Sequence, residues 1–164
     1  MPKLTPSLWF DKNAEEAANF YVATFPNSRV VNVQTSPADN PSGKKGDVLT
    51  VDWELDGKPY NGINGGPDFK FNEAISFVID CADQAEVDRY WDALLADGGE
   101  PGPCGWLKDR FGVSWQVVPR QLNEMIESSD LDAAERATKA MLQMTKIDVA
   151  KLEEAYRGEP VLSR

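Results

Sequence analysis

Apolar and polar positions alternate along "LTPSLWF" (4–10), with Leu8 and Phe10 on one side and Ser7 and Trp9 on the other. That period of two predicts a strand with one covered face. The period then lengthens. In "DKNAEEAANFYVATFPNS", Ala14, Ala17, Ala18, Tyr21 and Phe25 recur at helical spacing. Asn13 with Glu16 three residues on reads as a capping box, and Pro26-Asn27 stops the helix. "RVVNVQT" is strand-like. "VLTVDWEL" alternates again, with Leu49, Val51, Trp53 and Leu55 on one face, and the Asp56-Gly57-Lys58 turn leads into a return strand, "PYNGIN". Between them "SPADNPSGKKGD" (36–47) is rich in Pro, Gly, Ser and charge and is expected to be a mobile loop.

After the Gly65-Gly66-Pro67 corner the pattern restarts. "AISFVID" predicts a strand. "ADQAEVDRYWDALLADGG" predicts a helix capped by Asp83 and Glu86, striped by Val87, Tyr90, Trp91, Leu94 and Leu95, and ended by Gly98-Gly99. "GWLKDRFGVSWQVVP" holds two short strands around a turn at Arg110 to Gly112. At an offset of 70 residues Glu16 meets Glu86, Phe20-Tyr21 meet Tyr90-Trp91, and Phe25 meets Leu95. Fixed-offset similarity of this kind predicts a duplication, with modules at about 4–64 and 74–118. From Pro119 the chain turns helical: "RQLNEMIESS", then a helix boxed by Ser129 and Asp132 with a stripe of Leu131, Ala134, Ala137, Met141 and Met144. A last helix runs from Asp148 to Gly158. The expected organisation is a domain at 1–127 and a helical extension at 128–164, packed on that domain or on a partner subunit.

Composition narrows the chemistry. A 164-residue chain suits one domain or two small modules sharing a core. Its net charge of −10 repels a phosphate backbone, which argues against a nucleic-acid partner. No apolar run approaches the roughly 20 residues of a membrane span. "MPKLTPSLWF" lacks the apolar core of a secretory signal, so a cytoplasmic location is expected and Cys81 and Cys104 are read as free thiols. The chain has no histidine. It therefore lacks the usual general base near neutral pH and the commonest ligand for transition metals. A Ser-His-Asp or Cys-His site is impossible within it. Any metal would need oxygen ligands, which favours magnesium, calcium or manganese.

Five stretches, "LWFDKNAEEAANFY", "FPNS", "NGGPDFKFNEAISF", "CGWLKDRFGVSWQVVP" and "AMLQMTKIDVAKLEEAY", resemble the PhnB-like branch of the vicinal oxygen chelate superfamily. That superfamily includes glyoxalase, bleomycin-resistance and dioxygenase domains, and its PhnB-like branch often carries the label 3-demethylubiquinone-9 3-methyltransferase. The resemblance implies an α+β fold of paired βαβββ modules, forming a curved mixed sheet around a cavity, with the helical extension added. "NGGPDFKFN" would be the crossing between modules. A homodimer is expected on the same ground. Many relatives hold a divalent metal on His, Glu or Gln. Here only Gln116 falls at such a position; the opening strands offer Ser7 or Trp9 and Ser76 where histidine is usual. No cofactor is expected, with magnesium or manganese as the weaker alternative. The methyltransferase label gains no support, because "NGGPDF" leads into a strand rather than a helix and has no acidic partner placed for a ribose.

The expected ligand residues are Trp9, Ser76, Trp106, Gln116 and Cys104. The tryptophans would stack on a planar molecule, and Ser76 and Gln116 would hydrogen-bond its edge. The competing reading places both tryptophans in the core or a dimer interface. Cys104 is either structural or a thiol activated by Lys108, and Lys108-Asp109 also reads as a solvated turn pair. Two functions follow: a metal-independent module binding a small planar organic molecule, or a lyase or isomerase with an oxygen-ligated metal.

Overall fold

A computed structural model describes residues 3–158. The chain divides into two compact units, one ending at Phe71 and the other beginning at Asn72.

The first unit runs β1 (Ser7–Phe10), α1 (Ala14–Thr24), β2 (Arg29–Thr35), β3 (Val48–Leu55) and β4 (Lys58–Asn64). Its sheet has the order β1-β4-β3-β2, with β1 parallel to β4 and the remaining pairs antiparallel. Helix α1 buries Ala14, Ala17, Ala18 and Tyr21, and the sheet buries Leu8, Phe10, Val51, Trp53 and Leu55. These are the apolar sets set apart by the two periodicities. Gly62 is required where helix and sheet meet. A Cβ there would lie 2.9 Å from Trp53 Cζ3 and 3.3 Å from Ala14 Cβ.

The helix start corrects an expectation. Asn13 makes no side-chain cap bond. Asn64 Oδ1 instead accepts from the Ala14 N–H at 2.9 Å, while Asn64 Nδ2 donates to the Val48 carbonyl at 3.0 Å. The segment 36–47 is likewise no loose tether. Ser36 N donates to Asp47 O, Gly46 N to Ser36 O, and the Ser42 hydroxyl to Gly65 O, all within 2.9 Å. Asn40 and Gly43 bridge each other.

The second unit begins with β5 (Ser76–Cys81), α2 (Gln84–Leu95), β6 (Glu100–Pro101), β7 (Trp106–Lys108) and β8 (Ser114–Pro119). Its order, β5-β8-β7-β6 with β5 parallel to β8, repeats that of the first sheet. Here the cap is local, as expected. Asp83 Oδ1 accepts from Glu86 N at 2.9 Å, and Glu86 Oε2 reaches back to Ala82 N at 2.8 Å.

Three more helices complete the unit: α3 (Arg120–Ile126), α4 (Leu131–Met141) and α5 (Val149–Arg157). The cap of α4 is Asp130, which accepts from Ala133 N, not the expected Ser129. Of the expected stripe, Leu131 instead faces outward, 77% exposed, while Ala134 and Ala137 are buried as expected, together with Ala133. Helix α5 starts on Asp148 and ends on Gly158 in the left-handed region, φ 76°. Leu122, Ile147 and Leu152 form a buried cluster, with Val118 of β8 and Met125, Met141 and Met144 packed against it. The methionines fill the gaps between these helices.

Candidate functional site

Helix α2 covers one face of the second sheet. Ile79, Cys81, Leu107, Trp115 and Val117 are buried on that side. Cross-strand partners share a face. Trp106 pairs with Gln116, Lys108 with Ser114, Ser76 with Ser114, and Val78 with Gln116. These residues therefore stand together on the opposite face. Gln116 Nε2 donates to the Ser76 hydroxyl at 2.8 Å, and Val78 is 62% exposed.

At the β7 side of this face is a hollow of about 370 Å³. Trp106, Pro103 and Cys104 supply apolar and sulfur surface, and Gly102 lets the backbone close in. Lys108 Nζ pairs with Glu73 Oε1 at 2.5 Å. That bond raises the ammonium pKa and holds the Glu73 carboxyl below its ordinary range. Ser114 completes the lining. It is 1% exposed, and its hydroxyl has no hydrogen-bond partner among the described residues.

The wall formed by residues 102–105 is pinned from two sides. Gly102 N donates to Trp106 O at 2.8 Å, and Val117 N to Gly105 O at 2.8 Å. From the helical extension, Met144 O accepts from Cys104 N at 2.8 Å and Thr145 O from Gly105 N at 2.7 Å. Gly105 has φ 81°, and a Cβ there would sit 2.8 Å from Val117 O and 3.0 Å from Ile147 Cγ1. Asp109 is no solvated turn residue. It is 3% exposed, and its carboxylate accepts from the N–H groups of Phe111 and Val113 and from Trp115 Nε1.

Of the five expected ligand residues, four lie in this unit. Trp106 and Cys104 line the hollow, while Ser76 and Gln116 hold each other on the same sheet face. Trp9 belongs to the first unit. Its indole N–H donates to Gly66 O at 2.8 Å, its ring meets Phe69 edge-on at 4.9 Å, and a Cβ on Gly65 would lie 2.1 Å from it. The Gly-Gly corner is thus a seat for an indole. Ser114 and Glu73 were missed. The signal for Ser114 was its place two residues before Gln116 in "GVSWQ", which puts both on one strand face.

A divalent metal does not fit these residues. A metal would take the Gln116 amide oxygen, but no three His, Cys, Asp or Glu side chains gather among the described residues to join it. At the Gly-rich corner the Trp9 ring packs directly on Gly65, so the small residue there serves an indole of the chain itself.

Two βαβββ units with one strand order are the fold of the vicinal oxygen chelate class. Residues 2–118 match the 3-demethylubiquinone-9 3-methyltransferase family, and the chain belongs to that family, the PhnB-like branch of the class. It is similar to a PhnB protein from Bacillus cereus, at 32% identity over 71% of this chain and 98% of the other, with a TM-score of 0.62. Protein PA1353 from Pseudomonas aeruginosa shares the fold at 21% identity, over 73% of this chain and 98% of the other, TM-score 0.59. No functionally curated protein matches. Among the described residues, no helix is long and apolar enough to cross a membrane.

Proposed function

We propose that the protein binds a small, planar organic molecule in the hollow beside β7, without a histidine-based metal site. The observation that carries this is the pairing of an apolar, tryptophan-walled space of about 370 Å³ with a buried hydroxyl that has no hydrogen-bond partner among the described residues. Ligand pockets combine apolar walls with a few placed polar groups, and 370 Å³ lies at the small end of their range of roughly 300–1,000 Å³. Trp106 offers a flat face, and Ser114 offers orientation. The methyl transfer in the family's name has no counterpart in these side chains, so the reading is sequestration or recognition rather than group transfer.

The test is an NMR titration of the labelled protein with a panel of one- and two-ring aromatic fragments, following the five tryptophan indole N–H signals. The expected result is a saturable shift of the Trp106 signal, with the ligand-induced shift of the Ser114 backbone amide lost in Trp106→Ala, while the signals of Trp9 and Trp115, both tied to protein acceptors, move little. A panel that leaves Trp106 unmoved refutes the reading.

A further inference from the structure

We propose that the hollow selects an uncharged, flat molecule carrying one carbonyl oxygen, which accepts a hydrogen bond from Ser114; this deepens the ligand-binding reading above and rests on it. Charge is the first ground. The lining contains one cation, Lys108, and one carboxylate, Glu73, and they neutralise each other. Glu100 also acts on Lys108. An anionic ligand would have to displace Glu73 in a chain of net charge −10, and a cationic one would have to displace Lys108 from Glu73. A neutral ligand meets neither barrier.

The second ground is the hydroxyl. Buried polar groups in folded proteins nearly always have partners, so each exception calls for a cause. Ser114 sits opposite Lys108 in register, and the ammonium is taken by Glu73. The Ser114 hydroxyl lies just beneath the surface of the hollow, so a carbonyl oxygen reaches it as the half-exposed Lys108 and Trp106 side chains move apart; it then satisfies the O–H, while the ligand's apolar body lies on Trp106 and Pro103. A site built to hydrogen-bond one oxygen discriminates against the analogue that lacks it, because the buried partner is then left unpaired.

The experiment measures binding of three probes of nearly equal size by calorimetry: 2-acetylnaphthalene, 2-methylnaphthalene and 2-naphthoate. In the unmodified protein the ketone is expected to bind about tenfold more tightly than the hydrocarbon, the worth of one neutral hydrogen bond, and the carboxylate most weakly. In Ser114→Ala the ketone should fall to the level of the hydrocarbon. The thermal midpoint of unliganded Ser114→Ala should equal or exceed that of the parent, since no protein bond is lost. Ser114→Cys, which keeps the volume with a weaker donor, should give an intermediate preference. Tightest binding of the naphthoate, or a ketone preference that survives Ser114→Ala, overturns the proposal. A marked drop in the midpoint of Ser114→Ala does so too, because the hydroxyl would then serve the fold. If none of the three probes binds, the ligand-binding reading itself falls, and this one with it.

Discussion

Asn64 caps a helix that begins fifty residues before it. Both arms of its amide are engaged, one on the α1 start and one on the Val48 carbonyl, and the residue is 7% exposed. Replacing it with Ala removes the cap and strands a carbonyl, so Asn64→Ala should lose about 2 kcal/mol in a denaturant titration, and Asn13→Ala less than about 0.5. Equal losses would return the cap to Asn13. The difference also shows why this residue was misread. Capping rules act within a few positions along the chain, and Asn13-x-x-Glu16 satisfied them on paper, whereas the true cap depends on β1 pairing with β4 in a register that sets Phe10 against Asn64. Gly65 follows the same logic. With Trp9 seated on it, Gly65→Ala must push the indole aside, and a loss of about 1–3 kcal/mol is expected, with a shifted Trp9 indole signal. A glycine shows in a sequence; the side chain that needs its missing Cβ does not.

At the scale of elements, what was legible was what is local. The alternation in β3, the Asp83–Glu86 cap of α2 and the left-handed Gly158 closing α5 each depend on neighbours a few residues apart. The two-residue strand β6 was not legible, since it exists only by pairing with β7. The attachment of the helical extension was hidden as well. Gln84, at the first turn of α2, donates to Ile147 O at 3.0 Å and accepts from Val149 N at 2.8 Å, which moors the α4–α5 connection. The mooring reaches the hollow, because Met144 and Thr145 hold the backbone of Cys104 and Gly105. Gln84→Ala should therefore cost about 2 kcal/mol and speed hydrogen exchange at the Cys104 and Gly105 amides. If those amides keep their protection, the extension does not support the wall of the site.

The whole molecule titrates in an unusual way because it has no histidine. Glu54, Glu73, Asp88 and Glu135 are held below the ordinary carboxylate range, chiefly by hydrogen bonds from Arg29, Lys108, Lys146 and Lys139 respectively. A carboxylate whose folded pKa is lowered contributes stability above its unfolded value, and that contribution is lost as pH falls through the acid range. These pairs are largely exposed, so each contributes little. On the alkaline side the sign reverses. Burial pushes the Cys81 thiol up to about 12, with Glu86 and Asp80 adding to the shift. The native state then keeps a proton that the unfolded chain releases above about pH 8.5, and stability should fall by up to about 1.4 kcal/mol per pH unit from this one group. Burial also raises Tyr60 and Tyr90, which steepens the decline near pH 10. Between these limits the chain has no histidine to change its charge. The thermal midpoint should stay within about 2 °C from pH 5.5 to 8 and then drop, and Cys81→Ala should flatten the drop between about pH 8.5 and 10 without changing the plateau's shape. Binding of a neutral ligand at Ser114 should share that plateau, since Lys108 and Glu73 keep their charges across it. A slope in either quantity within this window would mean that a group outside this account changes its protonation on folding or on binding.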